Sequence, residues 1–393
     1  MLDVLIVGAG PVGLTAGCIL AQQGHAVRVV RKHPPFTGHS RASVIWPRAL
    51  EIMESIGVTE SLRAMGSHVT RIGYYSSGTS IGRFELDRLD DTAFRFALGV
   101  SQHETEAVLE AALRAAGGTV DDAELLALEQ DEGHVTARLR RDGADATVSA
   151  RFLIGADGAN STVRALLGIA THDVGPRVSF RIADAVVDQL PEDEASYCWT
   201  PAGGMAIGPH DRGAFRLAHR IAPDDVHDTS VESFQRLLDE RGPGGRAPVV
   251  RELISTADFQ ARFAIAERFR VGRCYLAGDS AHVMAPAGGQ GMNSGMLDAA
   301  ALSWRMLEAL RNGAADSALA EYDAERQVVI RKIMATAVEH ARDGGLRSDE
   351  DIAVRDQRYR AMWQNAAQHK DRVARLSQLT VDPARAAGAS IPS

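Results

Sequence analysis

Three glycine-bearing clusters in this 393-residue chain have the residue types and spacing to do chemistry. The first is Gly8-Ala9-Gly10-Pro11-Val12-Gly13, which follows the apolar run Leu2-Asp3-Val4-Leu5-Ile6-Val7. There Gly8 permits a tight turn, Gly10 lets a pyrophosphate lie against the backbone, and Gly13 lets a helix pack on the strand. Pro11 and Val12 begin that helix, whose free N–H groups and positive end suit phosphate. The second cluster is Gly155-Ala156-Asp157-Gly158, running on to Arg164. The third is Gly278-Asp279-Ser280-Ala281-His282, followed by Pro286-Ala287-Gly288-Gly289-Gln290-Gly291-Met292-Asn293. A buried strand over 273–277 delivers Asp279 at its C-terminal end, where a carboxylate can accept from a ribityl hydroxyl. Bare backbone at Gly288, Gly289 and Gly291 lets a flat ring lie close. A helix starting near Gln290 points its N-terminus at that ring, and such an end favours the negative charge of a reduced flavin.

One position departs from the dinucleotide pattern. A carboxylate is ordinarily found about 20 residues after the first glycines, where it binds ribose hydroxyls. Arg31-Lys32 stands there instead, and no Asp or Glu occurs between Asp3 and Glu51. A basic pair suits the 2′-phosphate of NADP, or is a solvated strand end. The first cluster alone therefore leaves FAD and NADP open; the third selects FAD.

The elements that position these clusters follow from the hydrophobic pattern. Residues 2–31 read as strand, glycine turn, helix over 12–23, and a second strand over 26–30. A loop over 32–43 leads to a helix over 47–56, and 69–99 alternates as antiparallel strands. A helix is predicted over 102–116, then a strand meander over 123–154 with a turn at Arg141-Asp142-Gly143. Residues 176–265 read as mixed strands with one helix near 230–241. Helices follow at about 290–312, 316–344 and 350–377, and the tail from 382 is expected to fray. The pattern predicts an α/β fold: a Rossmann-like FAD-binding domain with an inserted mixed β-sheet substrate domain and C-terminal helices. The discontinuous FAD-binding domain is expected over 1–70, 98–175 and 268–345, the substrate-binding domain over 71–97 and 176–267, and a helical tail over 346–393.

Composition narrows the function classes. With 43 basic and 51 acidic residues the net charge is −8, which gives no general affinity for a phosphate backbone, so no nucleic-acid partner is expected. Cys18, Cys198 and Cys274 are odd in number and lack metal spacing, so neither a disulfide framework nor a metal site is expected. No basic segment precedes the first strand and no apolar run reaches about 18 residues, so neither a cleaved leader nor a membrane span is expected. A reducing, cytoplasmic setting and a monomer or homodimer are the corresponding expectations.

The third cluster resembles the second FAD fingerprint of the class A flavoprotein monooxygenases, the para-hydroxybenzoate hydroxylase family, and the second resembles that family's Asp-Gly motif. Arg41-Ala42, Gln102, the stretch from Asp298 to Trp304, and Leu319-Ala320-Glu321-Tyr322-Asp323-Ala324-Glu325-Arg326 are similar too, so the matches span about residues 4–326 in family order. Arg31 replaces the family's acidic ribose ligand, Arg305 stands where Lys is frequent, and the thioredoxin-like C-terminal domain of longer members is not expected. The resemblance implies that NAD(P)H, as NADPH or NADH, reduces FAD. O2 then adds at flavin C4a, and the hydroperoxide transfers one oxygen to an aromatic or polyketide-like small molecule. Arg41 and Gln102 would hold pyrophosphate and ribityl, while Asp157 and Arg164 would support the Asp-Gly turn and the nicotinamide route. Pro286, Gly289 and Gln290 would flank the reacting ring edge, with Gly291, Met292 and Asn293 completing the cradle. On this reading Asp279→Ala loses FAD and Arg31→Glu tightens it.

Substrate contacts are sought on the predicted middle strands, at Tyr74, Trp199, His210 and Arg216, each of which reads more readily as a core aromatic or a surface polar residue. Three other readings compete: an FAD oxidoreductase without oxygen insertion, a plain NADP dehydrogenase, and a flavin scaffold without activity. A halogenase is disfavoured because none of Trp46, Trp199, Trp304 or Trp363 has a second Trp two residues on.

Overall fold

The apolar runs become the centre of a parallel sheet. β1 (Leu2–Val7) pairs in parallel with β2 (Val27–Arg31) on one side and with the strand Ala144–Gly155 on the other. Thr119–Asp122 extends the sheet beyond β2, and Cys274–Leu276 extends it beyond Ala144–Gly155, both in parallel. Val4, Leu5 and Ile6 are buried in succession, because helices cover both faces of such a sheet and leave no side for polar residues. α1 (Pro11–Gln22) lies against the helices Gln102–Ala115 and Gln290–Asn312. The structure is a computed structural model and describes residues 1–34, 42–211, 213–221, 228–312 and 317–381. Arg41 lies outside the described residues.

The predicted meander is present. Glu124–Gln130 and Val135–Arg141 pair antiparallel, and Val135–Arg141 pairs antiparallel with Ala144–Gly155. The middle of the chain supplies a seven-stranded sheet, in the order Val249–Ala261, Val178–Asp188, Phe215–Ile221, Gly203–Pro209, Glu194–Thr200, Arg71–Ser76, Thr79–Glu85. Its neighbours run antiparallel except Glu194–Thr200 with Arg71–Ser76, which run parallel. The fold is the α/β arrangement that the pattern predicts: a parallel sheet, a mixed sheet built from inserted segments, and late helices.

Two details differ. The single helix expected over 350–377 is two, Asp349–Gln364 and Ala366–Leu376. Asn365 breaks it: its side chain accepts from Gln368 N–H at 3.0 Å and so caps a new helix. Thr59–Met65 is a short helix of seven residues, about two turns, too brief for an apolar period to register. No helix among the described residues is long and apolar enough to cross a membrane.

Candidate active site

One cavity of about 780 Å³ joins the two sheets. From the parallel-sheet side it is lined by Gly10, Pro11, Val12, Gln102, Asp279, Pro286, Gly289, Gly291 and Met292. From the mixed sheet come Ile72, Ile182, Ala195, Tyr197, Ala206, Ile207, Arg216, Ala218 and Phe259. Its floor is therefore glycine backbone and helix N-termini, and its far wall is largely apolar, with Arg216 and Gln260 among its polar members.

Local sequence explains the floor. Gly8 has φ 113°, and a Cβ there would lie 2.1 Å from the Ala156 carbonyl oxygen. At Gly13 a Cβ would lie 1.9 Å from the Gly8 carbonyl oxygen, so only glycine lets α1 start this close to β1. Gly8, Gly13 and Gly278 thus stand behind the cavity, Gly278 against Val12. Gly10 and Gly291 face into it: a Cβ on Gly10 would meet only Glu106 Oε1, at 3.9 Å, and one on Gly291 would meet nothing within 4 Å. A side chain at either position would fill space a cofactor can use.

The two helix starts have no anionic competitor of their own. α1 begins after Gly10 with no side-chain cap and no acidic residue in its first turn, and Gln290–Asn312 also lacks an acidic first turn. By contrast, Ser101, Ser161, Ser230, Ser348 and Asn365 each cap their helix with a side chain. Uncapped N–H groups and the positive helix end favour an anion such as a pyrophosphate or a reduced flavin. Asp279, just past Cys274–Leu276, adds a carboxylate to the same wall. These residues fit FAD.

Several side chains brace the cradle from behind. Asn293 accepts from Trp46 N–H at 2.7 Å and donates to the carbonyls of Val44 and Gly289 at 2.9 and 2.8 Å, so it holds the loop instead of lining the cavity. Asp157 accepts from Ser161 Oγ at 2.5 Å and Val163 N–H at 3.0 Å, capping the helix Thr162–Leu166. Arg164 then ties the second and third clusters together, donating to the Ala159 and Ser280 carbonyls, each at 2.8 Å. Beneath Gly278, Asp298 accepts from its N–H at 3.0 Å, from Arg326 Nε at 2.7 Å, and pairs with His282 Nε2 at 2.5 Å, all out of contact with solvent. Burial alone would raise the Asp298 carboxyl, but the adjoining His282 and Arg326 hold it below the usual range.

Other sequence expectations need correcting. Arg31 and Lys32 do not line the cavity: Arg31 pairs with Glu110 at 2.6 Å and Asp122 at 2.7 Å, and Lys32 pairs with Glu124 at 2.7 Å. Gln290 is turned into the C-terminal segment, donating to Gly288 and Leu376 carbonyls and accepting from Gln378. Tyr74 and Trp199 share a sheet face with Ile72, Ala195 and Tyr197, but the late helices cover their end of it. Tyr74 and Trp199 pack on Tyr359 at ring distances of 4.8 and 5.2 Å and do not line the cavity. His210 lies one layer behind Arg216, which does line it.

Among the lining residues that the sequence did not single out are Glu106, Trp46 and Phe259. Glu106 sits one turn after Gln102, whose Nε2 donates to it at 2.7 Å, and burial raises its carboxyl. The i, i+4 spacing to Gln102 was a usable signal. Trp46, whose Nε1 donates to the Gly288 carbonyl at 3.1 Å, and Phe259 carried none.

Comparison with known proteins agrees with this geometry. Residues 1–337 match the FAD binding domain family, and the chain belongs to that family. FAD is its cofactor. The sequence is 34% identical over 346 residues to 6-methylpretetramide 4-monooxygenase of Streptomyces rimosus, covering 85% of this chain and 60% of that protein. The chain thus spans 60% of the length of that relative. p-Nitrophenol 4-monooxygenase from Pseudomonas putida DLL-E4 shares the fold, with TM-score 0.87 and 22% identity over 96% of this chain and 98% of that chain. Aklavinone-11 hydroxylase, solved with FAD and aklavinone, has TM-score 0.72 and 28% identity over 86% of this chain and 68% of its own.

Proposed function

We propose that this chain is an NAD(P)H-dependent FAD monooxygenase that places one oxygen atom of O2 on an aromatic or polyketide-like small molecule. One observation carries the reading: a single cavity runs from two helix starts with no acidic residue in their first turns, and from Asp279, to a largely apolar sheet face. FAD, when bound, supplies electron transfer from NAD(P)H and the activation of O2. The chain does the rest. The backbone of Gly10, Pro11 and Val12 would hold the pyrophosphate, Asp279 would accept from a ribityl hydroxyl, and Gly291 and Met292, in the first turn of Gln290–Asn312, would favour the negative charge of the reduced ring. Ile182, Ala206 and Phe259 hold the substrate ring and exclude water, which protects a reactive oxygen species from wasteful release as peroxide.

We assign cofactor holding to 1–70, 98–175 and 268–345, substrate holding to 71–97 and 176–267, and bracing to the helices after 345; the strands of the parallel sheet fall in the first set and those of the seven-stranded sheet in the second, whereas Ala264–Ala266 pairs with Thr171–Asp173 and His282–Val283 of the first. We also propose a cytoplasmic setting, in keeping with Cys18, Cys198 and Cys274 all being free thiols.

The test is purification followed by NAD(P)H oxidation against a panel of phenols, indoles and polyketides, with product mass read in parallel. FAD in the denatured supernatant and a product heavier by one oxygen are expected. A colourless protein that binds only NADP, or a flavoprotein that turns all its reductant into peroxide across the panel, overturns the reading. Asp279→Ala is expected to stay folded by circular dichroism while losing FAD.

A further inference from the structure

A dinucleotide fold keeps its ribose carboxylate at the C-terminal end of its second strand. In this chain Arg31 ends β2, pairs with Glu110 and Asp122, and does not line the cavity. The adenosine ribose of FAD still brings a vicinal diol whose hydroxyls need acceptors. Another carboxylate stands beside the same strand end. Glu106 lies one turn before Glu110 on one face of the helix Gln102–Ala115, and Glu110 holds Arg31 Nη1 at 2.6 Å. That bond fixes the helix beside the end of β2. Glu106 then lines the cavity together with Gly10 and Gln102. Gly10 places it from the other side, since a Cβ there would lie 3.9 Å from Glu106 Oε1.

The carboxylate is held ready to accept. Oε1 accepts from Gln102 Nε2 at 2.7 Å, which orients the group. Oε2 has no partner among the described residues, and it is not sealed from solvent. The nearby cations on this side are engaged elsewhere, Arg31 with Glu110 and Asp122, and Arg114 with Glu110. Burial outweighs the Gln102 bond and raises the Glu106 carboxyl, so the anion is short of donors.

The neighbours say which part of FAD supplies the donor. A pyrophosphate takes the N–H groups at the start of α1 and has no hydrogen to give. Asp279, the carboxylate for the ribityl chain, follows Cys274–Leu276, which lies on the opposite side of β1 from β2. The β2 side is the ribose side of such a fold. We propose that Glu106 is the ribose ligand of this chain: its Oε2 accepts from a hydroxyl of the adenosine ribose of FAD, in place of the carboxylate missing at the end of β2. Gln102 holds the same carboxylate by its other oxygen. The proposal needs FAD as the cofactor and is independent of the substrate.

The experiment titrates the full chain, freed of flavin, with FAD and with its 2′,3′-dideoxyadenosine analogue, followed by flavin fluorescence. Wild type is expected to bind FAD about 10-fold or more tighter than the analogue, the scale of one hydrogen bond to a charged group. Glu106→Ala and Glu106→Gln are each expected to lose that preference and to bind both cofactors at about the wild-type affinity for the analogue. In Glu106→Gln the new amide oxygen is taken by Gln102, and its NH2 cannot accept. This variant keeps the shape of the side chain, so it carries the test where circular dichroism shows the alanine variant unfolded. Equal binding of the two cofactors by wild type overturns the assignment. So does weaker FAD binding in a folded variant with the preference intact, which is what a merely structural role produces. Failure of FAD binding itself is seen separately, as wild type that takes up neither cofactor, and it removes the proposal as well.

Discussion

Arg31 occupies the position where a dinucleotide fold ordinarily keeps a carboxylate, and its partners give it a different role. Nη1 donates to Glu110 at 2.6 Å and Nε to Asp122 at 2.7 Å, so one side chain ties β2 to the helix Gln102–Ala115 and the strand Thr119–Asp122. Arg31→Glu therefore does not restore a ribose ligand; it places three carboxylates together. The expected outcome is a fall in unfolding free energy of about 1–3 kcal/mol, read from urea denaturation, with unchanged FAD per folded molecule. Tighter FAD binding in the variant would show that Arg31 faces the cofactor after all. The sequence signal at this position was real, since a basic residue does stand at a strand end, but its neighbours come from distant segments that periodicity cannot bring together.

At the scale of elements, the two glycine-marked helix starts separate folding from binding. Gly13 has no room: a Cβ would sit 1.9 Å from the Gly8 carbonyl oxygen, so Gly13→Ala forces α1 away from β1. A Cβ on Gly291 would meet nothing within 4 Å, in the first turn of its helix, so Gly291→Ala is tolerated and gains up to about 0.5–1 kcal/mol of stability. The expected pair of outcomes is loss of cooperative unfolding in Gly13→Ala, and in Gly291→Ala an unchanged or higher melting temperature with weaker FAD uptake by equilibrium dialysis. Equal FAD affinity in Gly291→Ala and wild type would remove Gly291 from the cradle. These starts were legible because glycine spacing and a strand-to-helix change of period are local. The placement of Tyr74 and Trp199 was not. Alternation puts both on the buried face with Ile72 and Ala195, but alternation is silent on what covers each end of that face. The cavity takes one end, and helices from far along the chain take the other.

At the scale of the whole molecule, the late helices join that sheet face to the cavity floor. Arg372 donates to Tyr74 and Tyr359 hydroxyls at 3.2 and 3.4 Å, and Arg355 lies 4.9 Å over Trp199 while donating to Ser76. Just beyond the last helix, Gln378 donates to Gln290 Oε1 at 2.8 Å and to Ser294 at 2.9 Å, at the start of the helix whose first turn lines the cavity. His340 is buried in this seam, 4.4 Å from the Tyr197 ring and 5.4 Å from Trp199. Burial, and then the positive charge of Arg372, push its pKa from 6.5 down to about 3. The unfolded chain takes up a proton at His340 as pH falls through 6.5, while the folded chain holds it neutral down to about 3. Stability from this group is intact above 6.5, drains as pH falls, and levels off below about 3. His340→Phe removes the titration and keeps an aromatic ring in the seam, so the melting temperature of the variant should fall less steeply than that of wild type between about pH 6.5 and about pH 4. Because Tyr197 of this seam also lines the cavity, acid should loosen FAD in wild type before it does so in the variant, followed by flavin fluorescence. A difference in melting temperature between the two proteins that stays constant across that range would place the acid sensitivity elsewhere in the fold.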